Sequence, residues 1–277
     1  MRHEAGRPVF PRPLGAAVLV LAVPAGLLAE EPIQVNPNRP TFASPALTTQ
    51  IGVAELELGV QYTLPRGGGD VAFTPFLLKL GLTRRLELRV GGGGLLRDAP
   101  SGGLAATGFG DVTVGGQWTY LQGKLFGIDQ AVQWTVKIPT ADSSQGLGTG
   151  HADETATVLF SRDIGPCHAD ANFLVTWLGQ AGRMERQPAA TISVSRTLSE
   201  EWSLTGELYW IGATTENETL VSNLWCVGRK VSSRLVLDAG LDVGLSHGAQ
   251  RVSLFAGFTY GVGRFRHPVN ADSAVPK

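Results

Sequence analysis

The sequence predicts an all-β protein: a transmembrane antiparallel up-and-down β-barrel of about twelve strands behind an N-terminal signal peptide. Three observations predict it. From Gly52 onward apolar and polar residues alternate in about a dozen runs, the period expected of strands with one apolar and one polar face. The N-terminus is basic and then apolar, as in a secretion signal. Charged residues make up 17% of the chain and glycines number 36, whereas ordinary soluble domains carry about 25% charge and roughly 7% glycine. Low charge and abundant glycine suit a wall that meets lipid outside and a crowded lumen inside.

Arg2, Arg7 and Arg12 precede an apolar stretch from Leu14 to Ala29, and cleavage is expected after Ala29 although Leu27 stands where a small residue is preferred. Pro24 and the shortness of the run argue against a spanning helix, and no later stretch approaches the ~18 apolar residues such a helix needs. The expected organisation is a signal peptide (1–29), a periplasmic leader or partial lumen plug (30–50), an outer-membrane barrel (51–263) and a periplasmic tail (264–277). A net charge of −1 offers no basic field for nucleic acid, which is excluded as a partner. No Cys or His spacing suggests a metal, and no cofactor is expected.

Along the chain the strands read in order. Leu56, Leu58, Val60 and Tyr62 alternate with Glu57, Gly59 and Gln61 in the first, and Phe76, Leu78, Leu80 and Leu82 mark a second whose phase Pro75 and Leu77 blur. Leu86, Leu88 and Val90 oppose Glu87 and Arg89 in the third. Val112, Val114, Trp118 and Tyr120 form one face of the fourth, and Val132, Trp134, Val136 and Ile138 one face of the fifth. The sixth carries Ala156, Val158 and Phe160, and the seventh sets Phe173, Val175 and Trp177 against Asp170, Asn172 and Thr176. A short eighth holds Ile192 and Val194, the ninth Leu204, Leu208 and Trp210, and a weaker tenth Trp225, Val227 and Val231. Leu237, Leu241 and Val243 oppose Asp238 and Asp242 in the eleventh, and Val252 to Tyr260 is the twelfth. Cys167 falls in phase with an apolar face and Cys226 with a polar one, so no bridge is predicted.

Tight links at Thr83–Arg85, Leu198–Glu201 and Ser232–Arg234 alternate with longer glycine-rich ones, above all Leu95–Gly110 and Pro139–Ala152. Short periplasmic turns and long extracellular loops are the usual asymmetry of these barrels, so both ends of the barrel segment are expected in the periplasm. The polar face is dominated by Gly, Thr and Ser, whereas a water-exposed surface carries more Lys and Glu. Tyr62, Trp118, Trp134, Trp177, Trp202 and Trp210 fall in phase with the apolar face, many near strand ends, as interfacial girdles require. The competing fold is a soluble periplasmic β-sandwich or a lipocalin-like binder, with the apolar face inside.

Several phrases occur in a familiar order: Asn38-Arg39-Pro40-Thr41-Phe42, Glu55-Leu56-Glu57-Leu58-Gly59, Leu82-Thr83-Arg84-Arg85-Leu86-Glu87-Leu88-Arg89, Gly108-Phe109-Gly110-Asp111-Val112, Lys137-Ile138-Pro139-Thr140 and Leu237-Asp238-Ala239-Gly240. In these the chain resembles the outer-membrane barrel family named for the MetA pathway of phenol degradation. The resemblance implies an outer-membrane location and a role in passing small, often aromatic or hydrophobic, compounds. The family usually has an acidic residue where Thr41 stands, and this chain runs on past the final aromatic strand to Lys277.

Strand phase points Glu57, Glu87, Asp111, Asp170, Glu207, Asp238 and Asp242 into the lumen, together with Lys79, Arg89 and Lys137. A charge facing lipid at mid-depth costs about 2–4 kcal/mol, which enforces the same choice. Two readings stand: opposite signs pair and stiffen the barrel, or they line a constriction that selects what passes. Arg39 is expected to hold the leader in the periplasmic mouth by pairing with a lumen carboxylate such as Glu57 or Glu87. Among interior rings, Tyr209 and Phe255 are the ones the phase assigns. His168 and Asp170 share a face, and His151 and His247 lie near serines in loops, but no Gly-x-Ser-x-Gly turn accompanies them. The expected function is a passive outer-membrane channel for small solutes and not an enzyme, with membrane lipid and, during insertion, the barrel-assembly machinery as partners. The alternative is a structural or adhesive barrel with a blocked lumen.

Overall fold

The computed structural model describes residues 31–266. The signal-peptide segment 1–29 and most of the expected tail lie outside them. The strands are β1 (Val53–Leu64), β2 (Gly69–Phe73), β3 (Phe76–Gly81), β4 (Leu86–Gly92), β5 (Leu95–Pro100), β6 (Ala106–Phe109), β7 (Val112–Leu125) and β8 (Ile128–Ile138). After a 3-10 turn at Ser143–Gln145 come β9 (Asp153–Ile164), β10 (Cys167–Gln180), β11 (Arg183–Thr197), β12 (Trp202–Ile211), β13 (Leu220–Ser232), β14 (Leu235–Gly244) and β15 (Val252–Arg264).

Twelve of these close a wall of antiparallel neighbours: β1, β3, β4 and β7 through β15. Closure is made by β15 against β1, from Val53↔Arg264 to Leu64↔Val252. No sheet edge is left along the wall, which is what a β structure in hydrocarbon requires.

The strands β2, β5 and β6 extend three wall strands above one rim. Leu58↔Phe76 and Gln61↔Phe73 keep one register, so β2 and β3 are a single strand interrupted at Pro75, which has no N–H to give. Between β4 and β5 the count slips, since Phe76 faces Gly92 but Phe73 faces Leu96. The extra residue falls at Gly93–Gly94, where Gly94 takes φ 59, the mark of a glycine bulge. The segment Leu95–Gly110, expected as a loop, is therefore mostly a hairpin. Its short apolar runs pair with β2 once the bulge has turned them. The link Pro139–Ala152 is a loop, and its Leu147 packs so closely on Gly108 that a Cβ there would lie 2.6 Å from Leu147 Cδ1.

At the opposite end the turns are tight. In the β7–β8 hairpin Phe126 and Gly127 have φ 54 and 70, the two positive values of a type I′ turn. β11, expected as a short strand, runs 15 residues. Its first part, Arg183–Gln187, is too polar to read as apolar alternation but pairs fully with Thr176–Gln180.

Burial is inverted relative to a soluble protein. Lys79, Gln117, Glu55, Glu57, Glu207 and Asn172 are among the largest fully buried side chains, while Val60, Trp118, Phe173, Ile192 and Leu254 are more than half exposed. An aqueous surface of that kind would be a very large apolar patch, far beyond what soluble monomers carry. The apolar face meets lipid. This excludes the soluble sandwich and the lipocalin-like binder. Both cysteines are free, Cys226 buried on the inner side.

Candidate functional site

Inside the barrel the leader makes a circuit. Residues 36–49 contact, in turn, β1, β14, β12, β10, β9, β7 and β4, which is the order of strands around the wall. The segment is a collar lying along the inner wall.

The chemistry of the collar explains its path. Pro37, Pro40 and Pro45 keep it out of helix and sheet, so its remaining N–H groups have no partners within a secondary structure and must find acceptors elsewhere. The wall supplies them. Glu57 accepts from the N–H groups of Asn38 (2.8 Å) and Arg39 (2.9 Å), and Glu207 from those of Phe42 (2.8 Å) and Ala43 (2.6 Å). Asn172 accepts from Ser44 at 3.1 Å, Ser161 from Ala46 at 2.7 Å, and Glu87 from Thr49 at 2.5 Å. Glu55 accepts from Asn36, while Gln117 and Thr119 donate to the carbonyls of Pro45 and Ala46. Amide bonds to carboxylates are charge-assisted and stronger than neutral ones.

Arg39 reaches a lumen carboxylate, though neither of the two named as examples. Its guanidinium pairs with Asp238, through Nη2 at 3.1 Å and Nε at 3.2 Å, and not with Glu57 or Glu87. Glu57 already takes two collar amides and Lys79, and Glu87 takes Thr49 and Arg89. The guanidinium lies in a slot formed by the cross-strand pair Gly59 and Gly257, where a Cβ would come within 2.4 and 2.5 Å of it.

The remaining predicted lumen residues all face inward. Lys79 is fully buried and bridges Glu55 (3.1 Å) and Glu57 (2.8 Å), with Asn38 Oδ1 at 2.9 Å and the Asn36 carbonyl also accepting. Arg89 lies 3.3 Å from Glu87 and donates to Gln117 and Gln133. At the loop-bearing mouth Lys137 joins Asp111 (3.5 Å) to Asp153 (2.6 Å), and Asp111 also accepts from the Ala141 N–H, drawing the Pro139–Ala152 loop over the opening. Asp242 accepts from Tyr209 (2.5 Å), Gln250 (2.6 Å) and Ser222.

Asp170 accepts from Ser161 at 2.5 Å, and His168 stands 3.1 Å from Asp170 and 2.6 Å from Asp163. The carboxylate therefore sits between hydroxyl and imidazole, so this trio does not have the order in which a histidine takes a proton from serine. Thr41 turns its hydroxyl to the collar's own carbonyls of Asn38 (2.9 Å) and Ala43 (2.8 Å).

Open space lies on both sides of the collar. Toward the loops are two chambers of about 300 and 340 Å³, and toward the tight turns one of about 210 Å³. Glu55, Asn172, Ser161 and Gln117 belong to this site and were not singled out from sequence. Glu55 lies immediately before the apolar run that marked the first strand. The other three are ordinary polar members of an alternating face.

The family model described as "Putative MetA-pathway of phenol degradation" matches residues 38–263. The chain belongs to this family. The match spans the collar from Asn38 and all twelve wall strands. No curated protein sequence matches the chain. Among solved structures it is similar to the KdgM porin, with a TM-score of 0.52 at 7% identity over 75% of this chain and 99% of that one. The NanC porin gives 0.51 at 11% identity, over 74% and 100%. These likenesses establish an outer-membrane type of barrel for this member of the family.

Proposed function

We propose that the protein is a passive channel of the bacterial outer membrane for small solutes, including single-ring aromatic compounds, with the collar setting the size and polarity limit. The observation that carries this reading is the polar lumen with chambers on both faces of the collar. Ion pairs and collar bonds occupy nearly all the charged wall groups, so the charges serve first to seat the collar. Selection then falls to the gaps the collar leaves. Among the described residues the inner-face rings include Tyr209 and Phe255, as the phase assigned, and also Phe73 of the rim extension β2 and Phe42 of the collar, whose ring lies 5.2 Å from that of Tyr209. The KdgM and NanC structures are named as porins, which accords with this reading. Lipid surrounds the wall, and insertion calls on the barrel-assembly machinery.

The test is solute-dependent swelling of liposomes bearing the full mature chain, with uncharged sugars of rising size and with phenol. Flux that falls with solute size is expected. Absence of flux for every solute would replace the channel with a structural barrel of blocked lumen.

A further inference from the structure

We propose that the two chambers on the loop side of the collar form one binding site for a small amphipathic anion, a single-ring carboxylate, with its ring in the larger chamber and its carboxylate toward Arg89. The inference rests on the channel reading and adds the class of ligand the channel holds.

The chambers are neighbours, since Ser44, Gln133 and Thr135 line both. The larger has no ionisable side chain in its lining. It holds an interruption of the polar inner face: Leu174, Ala189 and Ile211, from the adjacent strands β10, β11 and β12, turn inward toward the collar's Phe42. Three apolar side chains in register on neighbouring strands of a water-filled lumen are costly to hydrate. Covering them with a flat apolar ring removes that cost, while the amides and hydroxyls around them satisfy ring substituents.

The smaller chamber presents positive charge. Arg39 and Arg89 line it, and Glu57 is its one acidic residue. Glu57 is already occupied: Oε1 takes the Asn38 N–H and Lys79, and Oε2 the Arg39 N–H. The acids that pair with the two arginines, Glu87 and Asp238, are not in its lining. Arg89 directs Nη1 to Gln117 and Gln133, and Nη2 makes no hydrogen bond to a described residue. A guanidinium nitrogen so placed donates to an incoming carboxylate. Volumes of about 300 and 340 Å³ sit at the low end for small-molecule sites, enough for one ring with its substituent.

The experiment is calorimetric titration of the detergent-solubilised full mature chain with benzoate, acetate and phenol, each variant first shown to be folded by its heat-dependent gel mobility. Benzoate is expected to bind about tenfold or more tightly than acetate or phenol, since a charge-assisted bond and burial of a ring each contribute on that scale. Arg89→Gln is expected to bring benzoate down to the level of phenol, and Ile211→Asn, which leaves the ion pairs intact, down to the level of acetate. Benzoate binding no better than acetate or than phenol overturns the proposal, as does unchanged benzoate affinity in either folded variant. Binding is read whether or not the collar opens. Lost benzoate binding with size-dependent flux intact removes this site alone, and binding without flux removes the channel instead.

Discussion

Deleting residues 32–48 is expected to turn a restricted pore into an open, cation-selective one. The deletion removes Arg39 and all but one of the collar amides that the wall carboxylates hold, and leaves the wall intact because closure runs through β1 and β15. At the level of the collar the wall then presents six carboxylates, Glu55, Glu57, Glu87, Asp170, Glu207 and Asp238, against two cations, Lys79 and Arg89, a net of four negative charges. In water one unit charge acts on another at ~8 Å with about 0.5 kcal/mol. Four act with about 2 kcal/mol, reduced roughly threefold by one Debye length of screening at physiological salt. A cation gains and an anion loses that amount, so the two differ by about 1.5 kcal/mol, a preference of roughly tenfold. The assay is the reversal potential and conductance of single channels in a planar bilayer under a potassium chloride gradient. Unchanged conductance, or a reversal potential of the anion-selective sign, would refute the reasoning that the collar occupies the lumen and neutralises its acids.

Other perturbations isolate single contacts. Glu207→Ala removes the acceptor of the Phe42 and Ala43 amides, each a charge-assisted bond worth about 1.5–3 kcal/mol, so hydrogen exchange across residues 40–46 should accelerate more than tenfold while the wall stays protected. Gly59→Val places side-chain atoms where the Arg39 guanidinium lies, and the resulting loss of the Asp238 pair should appear as higher single-channel conductance. Lys79→Ala strands two fully buried carboxylates and should lower stability by about 3–5 kcal/mol in urea-induced unfolding from lipid bilayers. Ile192→Arg puts a charge on the lipid face of β11 and should cost about 2–4 kcal/mol in the same assay.

The wall was legible in the sequence because a strand's faces repeat every two residues, and a barrel wall offers little else to confuse the count. Even so, alternation fails where a residue of the wrong class occupies its slot. Leu174, between Phe173 and Val175, reads as part of an apolar run although it points into the lumen, and the polar start of β11 reads as loop although it is paired. The rim hairpin was hidden by Gly93 and Gly94, which signal a turn but here make a bulge. The placement of the ten charged lumen residues followed from phase, whereas the partner of Arg39 did not. Pairing between a loop segment and a wall depends on where the segment runs, and the collar's course is written in the acceptors of β1, β4, β9, β10 and β12 and in the donors of β7.

Because the circlet inside the barrel is gripped chiefly by its amide groups, the two sides of that grip have unequal freedom to change. Any amino acid except proline offers the same donor, so substitutions within the leader alter what a passing molecule meets without unseating it. The acids on the staves have no such latitude. One scaffold of this design can therefore be re-tuned to new cargo by rewriting a dozen or so residues near its beginning, with the large cylinder left alone.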